Sequence, residues 1–186
     1  VIYYFTAKWG LSFNAVNGFA TLVWPPTGIA LALLFLWGSN LWPGIAIGAF
    51  LVNFVVGASP YVALGICVGN TLEALAGVYL LRRLSFRPTF ERLRDVLYFV
   101  FLAAFLSTLL SSTLGVASLF LGNVVSFDTL RETWLAWWLG DIMGNLLVAP
   151  IILVWSAGLL LPKTRRRLAE VIAITLIVVA SSVAVF

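Results

Sequence analysis

Residues 133–162 read TWLAWWLGDIMGNLLVAPIILVWSAGLLLP, an apolar stretch whose one charged residue is Asp141. A helix needs about 20 apolar residues to cross the hydrocarbon core of a bilayer, and this stretch exceeds that. An ionisable group at bilayer depth costs at least ~2.5 kcal/mol on insertion scales, so it marks a functional position by default. The same pattern recurs upstream. Between Lys8 and Arg82 the one charged residue is Glu73.

Composition points the same way. The chain has 186 residues, 62% of them hydrophobic and 10% charged. Soluble domains carry about 25% charged residues, enough to face water all round. This chain does not, and its length holds about seven spans. The expected fold is all-α, a polytopic transmembrane helical bundle forming a single domain over residues 1–186. Histidine is absent, which removes His-ligated metals, His-ligated haem and Ser-His-Asp chemistry. The single cysteine, Cys67, reads as a small buried hydrophobe and allows no disulfide within the chain. No cleavable signal peptide is read. No metal and no cofactor are expected.

Seven helices are predicted. They run from about Val1 to Phe19, from the Trp24–Gly28 turn to Trp37, from Trp42 to Val56, from Pro60 to Leu84, from Asp95 to Leu114, from Asp128 to Trp155, and from Leu168 to Phe186. Two basic clusters flank spans: Arg82, Arg83, Arg87, Arg92 and Arg94, then Lys163, Arg165, Arg166 and Arg167. They read as positive-inside signals in contact with anionic lipid, not as a nucleic-acid surface. Both loops are then cytoplasmic, the stretches at Thr21–Pro26, Ser59 and Gly115–Thr129 are external, and the N-terminus is cytoplasmic. The segment Gly115–Ser126 is too apolar for an ordinary loop and too short for a further span, so an amphipathic or re-entrant piece is expected. The seventh helix exits outward. An eighth is needed to return the chain, so the domain is expected to continue past Phe186. Trp24, Trp37, Trp42 and Trp155 fall near span ends and read as an interfacial belt. Gly44 with Gly48, and Gly140 with Gly144, allow close approach of helix backbones.

Three constellations stand out. Trp134, Trp138, Asp141 and Asn145 are spaced by four, three and four, which puts them on one helical face. Asn70, Glu73 and Gly77 share a face of another helix. Glu73 lies some fourteen positions past Ser59, roughly 20 Å deep at 1.5 Å per residue, where an unpaired carboxyl is expected to be neutral. Lys8, roughly 17 Å from the external end of its helix, either snorkels to the cytoplasmic side or pairs with Glu73 or Asp141; a buried Lys–carboxylate network is expected. Third, Trp24-Pro25-Pro26-Thr27-Gly28 breaks the chain between two spans, because Pro25 lacks a donor and Pro26 restricts it. The turn either starts a helix at the surface or dips into the mouth of the bundle, aiming Trp24 and Thr27 at a ligand. The bland alternative for all these polar residues is hydrogen-bonded glue between helices.

Taken in order, Trp24-Pro25-Pro26-Thr27-Gly28-Ile29-Ala30, Trp42-Pro43-Gly44-Ile45, Gly69-Asn70-Thr71-Leu72-Glu73-Ala74, Trp138-Leu139-Gly140-Asp141, Gly144-Asn145 and Ala149-Pro150 resemble the first class of bacterial membrane-associated sensor domains. The resemblance covers nearly the whole chain. It implies a bundle of about eight spans in the bacterial inner membrane, set before a cytoplasmic output module such as a histidine kinase or an enzyme of cyclic-di-GMP metabolism, and acting as a homodimer. It implies no catalytic residue in this chain and names no ligand.

The leading expectation is therefore an input module that reads a small ligand or a membrane partner through a polar intramembrane cavity. The ligand or signalling residues would be Lys8, Trp24, Thr27, Asn70, Glu73, Trp134, Trp138, Asp141 and Asn145. A small-molecule transporter or substrate-binding membrane subunit is the main alternative; no internal repeat supports it. An intramembrane enzyme built on Glu73 and Asp141 is a third reading, unsupported by any nucleophile or metal motif.

Overall fold

The computed structural model describes residues 2–11, 18–21 and 23–157. Over these residues it is helical, with no strand. The helices are α1 (Ile2–Leu11), α2 (Pro25–Trp37), α3 (Trp42–Val55), α4 (Pro60–Arg83), α5 (Leu93–Leu121) and α6 (Phe127–Ser156). A short 3-10 turn, Ser39–Leu41, joins α2 to α3. The expected seventh helix and the second basic cluster lie outside the described residues. Three helices, α4, α5 and α6, are long and apolar enough to cross a membrane; α2 and α3 are apolar but shorter.

Two boundaries differ from expectation. The first helix does not reach Phe19, because Gly18 (φ 77°) and Phe19 form a turn. The segment Gly115–Ser126 is not re-entrant. Helix α5 runs through it to Leu121, and Gly122–Ser126 alone make the connection to α6. Leu119, Val116 and Val125 are buried there against Val62 and Ala136, which is why the stretch is so apolar. Within α5, residues Phe99–Leu106 form a π-helical segment, a feature with no signature in the sequence. Its wide turn directs the Ser107 N–H to the Leu102 carbonyl at 3.0 Å.

Helix α4 is central, packing against α2, α3 and α5, while α6 closes the bundle against α2 and α5. Glycines set these distances. A Cβ on Gly77 of α4 would stand 2.8 Å from Leu31 of α2, and one on Gly115 of α5 would stand 2.8 Å from the Trp137 ring. Gly144 lies against the Trp24 carbonyl, and the Trp24 N–H donates to the Gly140 carbonyl at 2.9 Å. The Gly140/Gly144 pair thus receives the chain break ahead of α2 and not a straight helix. Gly48 receives the Tyr3 ring of α1, whereas Gly44 has nothing near it.

The basic end of the bundle is folded as well as charged. The Arg82 guanidinium donates to the carbonyls of Leu34 (3.0 Å) and Phe35 (2.9 Å), closing the C-terminal end of α2. Arg92 grips Asp95, fully buried, through two hydrogen bonds of 2.6 and 3.0 Å. Phe86 and Phe90 of the same loop meet edge to face, and both rings contact Phe99 of α5. Trp37, Trp42 and Trp155 are exposed as a belt requires; Trp24 is buried and belongs to the core.

The glycine contacts predict opposite outcomes for two similar substitutions. Gly144→Leu should unfold or strongly destabilise the bundle, by more than the 1–3 kcal/mol typical of overpacking, because the Trp24 backbone occupies the space. Gly44→Leu should leave the melting temperature in detergent nearly unchanged. Equal melting for the two would refute this packing.

Candidate functional site

The break at Trp24–Gly28 decides the site. Pro25 and Pro26 occupy the first turn of α2, where a missing N–H costs nothing. The turn does not sit at the surface. Trp24, Pro25, Pro26, Thr27 and Gly28 are all buried. Docking of Trp24 on Gly140 brings the Thr27 hydroxyl to Asp141 of α6, to which it donates at 2.9 Å.

Asp141 is completely buried and Glu73 is 2% exposed. The two carboxyls face each other beside Ser111 of α5, whose hydroxyl donates to Asn70. Asn145, one turn beyond Asp141, donates to the Ala103 carbonyl at 3.0 Å and, at the long limit of 3.4 Å, to Glu73 Oε1. Ala103 lies in the π-helical segment, where the ordinary ladder is offset, so a side-chain amide finds its carbonyl. A second chain of bonds runs beside the first. Trp137 Nε1 donates to Ser111 Oγ at 3.0 Å, Ser111 donates to Asn70 Oδ1 at 3.1 Å, and the Asn70 amide donates to the Ile66 carbonyl at 3.1 Å. Four helices, α2, α4, α5 and α6, thus meet through polar groups at one level.

The site is short of donors. Glu73 Oε2, Asp141 Oδ2, Asn145 Oδ1 and the Tyr3 hydroxyl are buried without a hydrogen-bond partner. No cationic side chain among the described residues pairs with either carboxyl. Lys8 is exposed on α1, and the one ion pair among the described residues is Arg92–Asp95. The expected Lys8–carboxylate network is therefore not formed. The reason is register: Tyr3, Ala7 and Gly10 take the buried face of α1, and Lys8 falls beside it.

Of the nine expected residues, Thr27, Asn70, Glu73, Asp141 and Asn145 converge, and Trp24 packs next to them over Gly10 and Gly144. Trp134 and Trp138 do not. They are half-buried, stack on one another at 5.3 Å, and bond to Thr113 and to the Phe105 carbonyl of α5. Helical spacing alone could not separate these indoles from Asp141, since the neighbours along one face change from turn to turn. The buried tryptophan is Trp137, one position away, which the spacing argument passed over. Ser111, Ser112 and Gly115, a small-residue stripe on α5, were its available signal.

The cavity described at the site is small. A space of about 10 Å³ adjoins Asp141, lined also by Phe19, Ala20, Thr21, Trp24 and Trp137; that suffices for about one water. The larger hollows, 260 to 460 Å³, are apolar and lie elsewhere, one of them beside Tyr3 between α1, α2 and α3. No group of ligands able to hold a metal ion occurs among the described residues.

An apolar helical bundle with two carboxyls in its core has the character of an integral membrane domain. The family model MASE1 matches residues 1–186, and the chain belongs to this family of membrane-associated sensor domains. The family is a sensory input domain of signalling proteins and is not itself catalytic. No curated protein and no solved structure matches the chain.

Two substitutions probe the site directly. Asn145→Ala removes a donor from both Ala103 and Glu73 and should lower unfolding stability by about 1–3 kcal/mol. Lys8→Met should change it by less than about 0.5 kcal/mol, as exposed positions do. Chemical unfolding in micelles reads both, and a large loss in Lys8→Met would restore the buried-lysine arrangement.

Proposed function

We propose that this domain is the membrane input module of a bacterial signalling protein, a histidine kinase or a cyclic-di-GMP enzyme, in which the polar core around Glu73 and Asp141 holds the balance between two helix arrangements. A stimulus, a small ligand or a membrane partner, acts by binding one arrangement more tightly than the other. The observation that supports this is the meeting of α2, α4, α5 and α6 on one incompletely satisfied polar layer. Such a layer is costly for stability alone, and each unmet group favours a rearrangement that meets it. The π-helical segment Phe99–Leu106 supplies a place for α5 to shift register, since one residue of slip converts a π turn to an α turn.

The module sits in the inner membrane with the Arg82–Arg94 loop and the N-terminus in the cytoplasm, spans the bilayer about seven times within residues 1–186, and returns through an eighth helix that leads to the output. Homodimerisation brings two outputs together. A transporter or substrate-binding subunit would use the same polar layer, but no described cavity is both polar and large enough for an organic solute.

The test is the natural full-length protein in membranes. Asp141→Asn and Glu73→Gln should lock the output activity at one level whatever the growth condition, while Tyr61→Phe at the exposed start of α4 should leave regulation intact. In intact cells a cysteine at Asn123 should react with an impermeant maleimide and one at Arg87 should not. Regulated output in both core variants, or the reverse labelling pattern, would contradict the proposal.

A further inference from the structure

Two carboxyl oxygens and one amide oxygen of the core meet no donor among the described residues, and this restricts what can bind there. Asp141 Oδ1 is met by Thr27 and Glu73 Oε1 by Asn145. Their second oxygens, Oδ2 and Oε2, have no donor, and neither has Asn145 Oδ1, on a side chain 1% exposed. The Asn145 amide cannot turn over to help, because its Nδ2 is held by the Ala103 carbonyl. Two ionised carboxylates in contact at low dielectric repel strongly, and no side chain here supplies the compensating charge.

The titratable groups around the pair are few. α1 contributes Tyr3, whose buried hydroxyl is within electrostatic range of both carboxyls, and α4 contributes Cys67 near Tyr3. α2 and α3 contain no titratable residue. Those of α5, Arg94, Asp95 and Tyr98, stand at the basic end of the bundle, and Asp128, Arg131 and Glu132 of α6 stand at the other. Among the described residues no cationic side chain pairs with either carboxyl. The space beside Asp141 has room for about one water and is lined by Phe19, Ala20, Thr21 and Trp24, at the end of the bundle opposite the Arg82–Arg94 loop. An organic cation does not fit it.

We propose that the Glu73–Asp141 pair is a proton-binding site, holding one proton between the two carboxyls and exchanging it with water through the space lined by Thr21, Trp24 and Trp137. Hydronium delivers the proton and leaves as water; the new O–H bond on one carboxyl donates to the other. Loss of the proton leaves two facing carboxylates, which separate, and Thr27 on α2 and Asn145 on α6 move with them. This inference deepens the sensory reading and rests on it for its purpose, though not for its chemistry.

The test is infrared difference spectroscopy of the full chain in nanodiscs, titrated in pH at constant Na⁺ and then in Na⁺ at constant pH. The expected result is a protonated-carboxyl C=O band at neutral pH that converts to carboxylate bands at high pH and is lost in Glu73→Gln/Asp141→Asn. Each amide donates where the acid O–H did, so the double variant keeps its fold; if it does not, the wild-type titration decides alone. Absence of the band at every pH, or carboxylate bands that answer to Na⁺ and not to pH, would overturn the proposal, the latter in favour of a sodium site. A clear band together with a full-length output that ignores pH would defeat the sensory use of the proton and leave the site standing.

Discussion

The docking of the Trp24–Gly28 break onto α6 is the constraint on which the rest of the site depends. Two prolines start α2 inside the bundle. Gly144 of α6 gives the backbone room to approach, and the Trp24 N–H fixes the register on the Gly140 carbonyl. With that register set, Thr27 meets Asp141. The Asp141 carboxyl is then held at the level where Glu73 of α4 and Ser111 of α5 also arrive. Moving any one of these elements by a residue would bury several polar groups with no partner, at about 1–3 kcal/mol each.

A membrane domain gains little from such a layer as plain glue. Interhelical polar bonds in bilayers average well below 2 kcal/mol, and here several oxygens receive no bond at all. The arrangement is better understood as a balance: enough donors to define one packing, too few to make it deep. Polar side chains on α6 also service the π-helical segment of α5, where Asn145 and Trp138 take up the Ala103 and Phe105 carbonyls. The acidic layer and the irregular backbone are therefore parts of one device, and a change in either is felt by the other. The Arg82 and Arg92 contacts hold α2, α4 and α5 together at the basic end.

Much of this was legible in the chain. Isolated charges in long apolar runs located Glu73 and Asp141. The spacing of Asn70 and Asn145 from them was correctly read as a shared face, and the double proline marked the break. What the sequence could not convey was three-dimensional neighbourhood. Lys8 looked like the natural counter-charge, because depth along a helix can be counted but azimuth within a bundle cannot. Trp134 and Trp138 shared a face with Asp141 yet faced different neighbours, and Trp137 was passed over for the same reason. The π-helical segment carries no proline or glycine to announce it. The run Gly115–Leu121 looked ambiguous only because its apolar character serves packing between α4, α5 and α6.

The most direct measurement is a double-mutant cycle between Thr27→Val and Asp141→Ala, read by unfolding free energy in micelles with Tyr61→Phe as a control. If the break before α2 positions Thr27 on Asp141, the two losses should be non-additive, with a coupling of about 0.5–3 kcal/mol. Additive losses would show that the two groups do not meet, and the account of a core assembled by that docking would fail.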